Sequence, residues 1–143
     1  MHDVEAYRLL IADVYELAGV SRRTSEELAR VEGQTVARWH VLSVLSDGPR
    51  TVPSAARRLG LAPQSVQRVV LDLVGSGHVV AVDNPDHVRS PLMRLTDAGR
   101  TTVERLFERS EVDRAAVLDR AGVSADELAS AREVVRKLVA ALS

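Results

Sequence analysis

Between Thr51 and Arg100 the spacing of apolar residues changes from helical to strand-like, and this constrains the fold more than any other feature of the chain. Pro53 suits the first turn of a helix, where its missing N–H would have no partner, and Gly60 suits that helix's end. Val52, Ala56 and Leu59 supply the helix's inner face. After the turn Gly60-Leu61-Ala62, Pro63 opens a second helix in which Val66, Val69, Val70, Leu73 and Val74 recur at the spacing of one buried face. Gly75 and Gly77 end it. Val79–Val82 and Leu92–Leu95 are short apolar runs on either side of a turn-rich loop, Asp83-Asn84-Pro85-Asp86-His87-Val88-Arg89, and read as a two-stranded wing. Helix, turn, helix and wing in this order form a winged helix-turn-helix, whose usual task is to lay one helix in a DNA major groove.

The flanks are helical. From Asp3 to about Ala18, Ala6, Leu9, Leu10, Asp13, Val14 and Leu17 follow a period of 3.6. Gly19 and the polar stretch Ser21–Glu27 predict a kink or interruption before Leu28 and Val31. Thr35 can cap a helix carrying Val36, Trp39, Val41, Leu42 and Leu45, which stops at Asp47-Gly48-Pro49. Thr96 can cap a long helix with Val103, Leu106 and Phe107 that runs to about Ala121. Ser124 with Glu127 three residues on is a capping box. It announces a last helix in which Leu128, Ala131, Val135, Leu138 and Leu142 step by three and four, the spacing of a helix-pairing seam. The expected fold is mainly α with a small two-stranded β wing. It forms one unit over residues 1–143, with a winged helix-turn-helix lobe at 35–100 and a helical dimerisation region at 1–32 and 101–143.

Composition sets the outer bounds. With 143 residues and 45% apolar content the chain can bury a core as one unit. No apolar run reaches the roughly 18 residues needed to span a bilayer, and Met1–Arg8 lacks the layout of a secretion signal, so a cytoplasmic protein is expected. The absence of cysteine excludes disulfides, zinc-cysteine clusters and thiol redox switching within the chain. The net charge of −1 hides an asymmetry: residues 50–100 hold seven Arg against four Asp, whereas both flanks are net acidic. The only basic third is the winged segment.

If Val66, Val69, Val70, Leu73 and Val74 face the core, then Pro63, Gln64, Ser65, Gln67, Arg68 and Leu71 lie at the outer or flanking surface of that helix. Gln pairs with adenine edges, Arg with guanine O6 and N7, and an exposed apolar group meets a thymine methyl. Ala62 offers no side-chain cap, leaving the first amides open to a phosphate oxygen. Arg57, Arg58, Arg50, Arg94 and Arg100 surround the helix in sequence and can neutralise phosphates, which strengthens binding without selecting a sequence. Arg89 stands at the tip of the wing, where an arginine can enter a narrow, electronegative minor groove.

The run Ser54-Ala55-Ala56-Arg57-Arg58-Leu59-Gly60-Leu61, then Val66–Val74, then the wing loop and Leu95-Thr96-Asp97-Ala98-Gly99, resembles the MarR family of bacterial transcriptional regulators. The likeness extends from about Thr35 to Leu142. It implies a homodimeric repressor whose end helices interleave and whose two winged lobes grip a near-palindromic operator. It also implies release or modulation by a small aromatic or phenolic effector held near the dimerisation helices. Tyr15, Arg38, Trp39 and His40 are the candidate effector contacts, with Trp39 also suited to the core. The chain departs from the family at the wing tip. Where Asp, then Arg or Glu, then Arg is usual, it has His87, Val88 and Arg89. An imidazole cannot hold an arginine as a carboxylate would, so a looser or pH-sensitive wing is expected.

No metal, cofactor or catalytic motif accompanies these features. His2, His40, His78 and His87 include no pair four residues apart on one helix. The chain has no Gly-rich phosphate loop and no nucleophile elbow. The alternative reading is a winged-helix protein-interaction module that lacks specific DNA binding.

Overall fold

The computed structural model describes residues 1–143. They form six helices and one two-stranded sheet: α1 Asp3–Val31, α2 Val36–Leu45, α3 Val52–Leu59, α4 Pro63–Gly75, β1 Val79–Val82, β2 Leu92–Leu95, α5 Asp97–Ala121 and α6 Ala125–Leu142. The chain divides into two compact units, Met1–Glu108 and Arg109–Ser143. No helix is long and apolar enough to cross a membrane.

The helix boundaries follow local chemistry. Thr35 and Thr51 cap α2 and α3 by accepting the amide hydrogens of Arg38 and Ser54, both at 3.2 Å. Gly60 closes α3 in the left-handed conformation, with φ of 69°. The Ser124 hydroxyl accepts from the Glu127 amide at 3.2 Å, and the Glu127 carboxylate accepts from the Ser124 amide at 3.1 Å, completing the capping box of α6.

Two expectations need correction. First, α1 runs unbroken through Gly19 and the polar stretch. One helical glycine costs only about 1 kcal/mol relative to alanine, and an Arg22–Glu26 pair at 3.4 Å supports the polar stretch from within. Second, Val74 is not a core residue: it is 39% exposed, whereas Val66, Val70 and Leu73 are buried. At 3.6 residues per turn, a position eight beyond Val66 has rotated about 80° away from it and sits at the edge of the stripe.

The core of the first unit gathers Val41, Leu42 and Leu45 of α2, Ala55 and Ala56 of α3, the inner face of α4, Val79, Met93 and Leu95 of the wing, and Val103 of α5. Val52 and Leu59 of α3 pack at its margin. A smaller cluster joins Ala29 of α1, Trp39 of α2 and Leu106 of α5. The wing is antiparallel, pairing Val79 with Leu95 and Val82 with Leu92. A further backbone pairing was not anticipated: Arg50 exchanges both of its hydrogen bonds with Met93, at 3.1 and 2.7 Å, and ties the α2–α3 connection to β2. In the second unit, Leu128, Val135 and Leu142 of the predicted seam are exposed, and α6 buries no residue.

Candidate nucleic-acid interface

The outward face of α4 is exposed along its length and, apart from Leu71, polar. Gln64, Ser65, Gln67, Arg68 and Leu71 are all exposed, directly opposite or flanking the buried Val66, Val70 and Leu73. Burial of the inner face fixes the rotation of the helix, so these side chains project together. Pro63 opens the helix, and Ala62 contributes no side-chain cap. The expectation of several free amides narrows here. Pro63 has none and the Ser65 amide donates to the Ala62 carbonyl at 3.1 Å, which leaves the Gln64 N–H as the outward donor of the first turn.

Across from this helix end lies the wing. An open cleft of about 600 Å³ separates them, lined by Pro53 of α3, Pro63, Gln64 and Gln67 of α4, and Arg89, Ser90 and Pro91 of the loop. Its lining combines apolar side chains with two amides and one guanidinium, a combination suited to a sugar-phosphate backbone with its apolar ribose and anionic phosphate. Arg89 is exposed, as are Arg57 at the end of α3 and Arg94 on the outer face of β2. Arg50 is drawn inward instead, donating to the Ser54 hydroxyl at 3.2 Å.

The wing loop is braced, but not from its tip. The Asn84 side-chain amide donates across the loop to the Ser90 carbonyl at 2.9 Å, while its oxygen accepts from the Asp86 amide at 3.1 Å. Backbone bonds from His87 to Asn84 and from Ser90 to His87, both 3.2 Å, complete the turn. His87 and Val88 project outward, Val88 with 95% of its surface open. Loss of a carboxylate at the tip therefore leaves a loop held by Asn84, a residue whose fitness for local turn bonds is legible in its type.

The four candidate effector residues occupy different surroundings. Tyr15 is exposed on α1, and Trp39 is buried against Ala29 and Leu106. Arg38 serves as an internal bracket. Its Nε donates to Gln34 at 2.7 Å, one Nη donates to the Ser76 hydroxyl at 2.9 Å, and the other stands 3.7 Å from the Asp72 carboxylate. Ser76 in turn lies 2.7 Å from Nδ1 of His78. Burial first and the Arg38 charge second hold the His78 imidazole below its ordinary value of 6.5. His40 lies on the open side of α2, where partial shielding by its neighbours first, and Arg22 second, depress it in the same direction. Sequence reasoning missed the bracketing role of Arg38, because nothing in its spacing from Asp72 and Ser76 signals their proximity.

Comparison with known proteins bears on the family and the fold. Residues 32–90 match a family model described as MarR family. An uncharacterised protein of Mycobacterium tuberculosis is 47% identical over 133 residues, covering 93% of this chain and 92% of that one. Among solved structures, Staphylococcus aureus MarR in complex with salicylate and kanamycin superposes with a TM-score of 0.83 at 13% identity, over 96% of this chain and 93% of that one. A mutant Escherichia coli MarR complexed with operator DNA superposes with a TM-score of 0.78 at 21% identity, over 96% and 99%. Its winged segment matches the family model, and its fold is that of the family's solved regulators along nearly its whole length: the chain belongs to the MarR family.

Proposed function

We propose that this protein is a cytoplasmic, sequence-specific DNA-binding regulator that grips a near-palindromic operator as a homodimer. In this reading α4 enters the major groove with Gln64, Ser65, Gln67 and Arg68 toward the base edges. Arg89 reaches the neighbouring minor groove, while Arg57 and Arg94 approach phosphates. The observation that carries it is the uninterrupted outward stripe of α4 facing Arg89 across an open cleft. The exposed apolar residues of α1 and α6 supply candidate surfaces for self-association: Leu10, Val14 and Leu17 on the former, Leu128, Val135 and Leu142 on the latter. A dimer reading two half-sites must present its two α4 helices about 34 to 36 Å apart, one turn of DNA. The E. coli relative solved with operator DNA supports the partner.

An operator overlapping a promoter would make the bound dimer a repressor by exclusion of polymerase. The S. aureus relative solved with salicylate supports an aromatic-acid or phenolic effector. Such a ligand must bind the DNA-competent and DNA-incompetent states with different affinity. Tyr15, Arg38, Trp39 and His40 are the residues to test for it.

The test is selection of bound sequences from random duplex DNA by the purified chain, followed by binding measurements across a salt series. A selected sequence with a two-fold repeat, bound more weakly as salt rises, is the expected result. Arg68→Ala should relax preference at one base pair by about 1–3 kcal/mol. Binding without sequence preference or salt dependence would overturn the proposal.

A further inference from the structure

On the outward face of α4 one residue breaks the polar pattern. Leu71 is 60% exposed and stands seven positions beyond Gln64, so at 3.6 residues per turn the two project within about 20° of each other. Gln67 and Arg68 lie between them on either side. Leu71 is thus centred on the stripe and turned away from the core, and the buried Val70 and Leu73 beside it fix that direction. The acidic neighbour that would repel a phosphate backbone, Asp72, has the Arg38 guanidinium 3.7 Å away. The rise of 1.5 Å per residue carries Leu71 about 10.5 Å along the helix from Gln64, the length of roughly three base pairs at 3.4 Å each.

We propose that Leu71 is a specificity residue that reads the C5-methyl group of a thymine, about three base pairs from the base contacted by Gln64 in each half-site. The proposal rests on the DNA-binding reading above and deepens it. A major-groove surface presents few apolar features, and the thymine methyl is the one that rewards a leucine more than a polar side chain. Leucine there favours thymine over cytosine without forming a hydrogen bond.

The experiment uses the full chain and the operator obtained by selection. Each thymine is replaced singly by deoxyuridine, which keeps the pairing and removes only the methyl group. Wild-type protein should lose about threefold to fivefold in affinity at one position per half-site, the scale expected for one buried methyl. Leu71→Ala should bind the thymine operator more weakly and show no further loss at that same position, with an unchanged thermal midpoint. Gln64→Ala should relax preference about three base pairs away. The proposal is overturned if no deoxyuridine weakens binding, or if the loss is equal in wild type and Leu71→Ala, which would make it a property of the DNA. If selection yields no preferred sequence, the DNA-binding reading itself fails and this one falls with it.

Discussion

The guanidinium of Arg38 donates a 2.9 Å hydrogen bond to the hydroxyl of Ser76, joining the start of α2 to the residue that closes α4. Only 15% of the arginine side chain is exposed, and the same group also donates to Gln34 and stands beside Asp72. Its bonds therefore set where the C-terminal end of α4 sits. Arg38→Ala should destabilise the fold by about 1–3 kcal/mol, because a largely buried charged donor is lost together with its bonds to Gln34 and Ser76. Asp72→Ala should cost no more than about 0.5 kcal/mol, since that carboxylate is 76% exposed and its pair is screened by solvent. Urea denaturation of both variants separates the two. Equal losses would contradict the assignment of Arg38 as a hydrogen-bonding bracket.

The same bracket predicts a pH dependence. With its proton on Nε2, His78 accepts at Nδ1 from the Ser76 hydroxyl, 2.7 Å away, within reach of the Arg38 charge. Burial and that charge lower its folded-state pKa, and His40 is lowered in the same direction. The unfolded chain therefore takes up protons that the folded chain resists, and stability is lost as pH falls below about 6.5 and on through the depressed folded values. Thermal midpoints should be level from pH 8 to about 7 and decline between about 6.5 and 5. His78→Gln should flatten part of that decline. A midpoint that rises on acidification would contradict the sign.

Gly99 lies against the backbone of His78 where α5 starts. A Cβ at Gly99 would collide with the His78 carbonyl oxygen and stand 3.0 Å from its carbon, contacts that no rotamer change relieves. The approach is held by Thr96, whose amide donates to that same carbonyl at 3.0 Å and whose hydroxyl donates to Gly77 at 2.6 Å. Gly99→Ala should therefore destabilise by about 2–3 kcal/mol despite the better helix propensity of alanine. In a chain of this size that lowers the melting midpoint by roughly 5–10 °C. An unchanged or raised midpoint would show that the strand start can move aside.

Gly99 also marks the boundary of what was legible in the sequence. The winged order, both strands to the residue, the caps at Thr35, Thr96 and Ser124, and the outward face of α4 follow from local rules, since periodicity and capping act over a few neighbours. The pairing of Arg50 with Met93, the Arg38 bracket and the seat of Gly99 join residues far apart in the chain, and no local spacing encodes them. The unbroken α1 was obscured for the opposite reason: glycine and serine are weak helix formers, but one continuous helix can carry them when ion pairs and packing at Ala29 hold it. At the wing tip the brace is Asn84, whose side chain bonds within its own loop, and a local turn bond of this kind is legible in the residue type.

Asn84 gives the sharpest test of the wing. Its side chain closes the loop by one bond to Ser90, next to Arg89 on the rim of the cleft. Removing that bond leaves the core untouched, because the loop lies beyond the paired residues Val82 and Leu92. Asn84→Ala should thus keep the thermal midpoint within about 0.5 kcal/mol of wild type in free-energy terms, yet weaken operator binding severalfold by letting Arg89 wander. Arg89→Ala should weaken binding across sequences and reduce the slope of log affinity against log salt by about one, the signature of a lost phosphate or groove cation. Combined with Arg89→Ala, Asn84→Ala should add little, since a brace has no effect once the side chain it positions is gone. Additive losses in the double variant would show that Asn84 acts on DNA by another route.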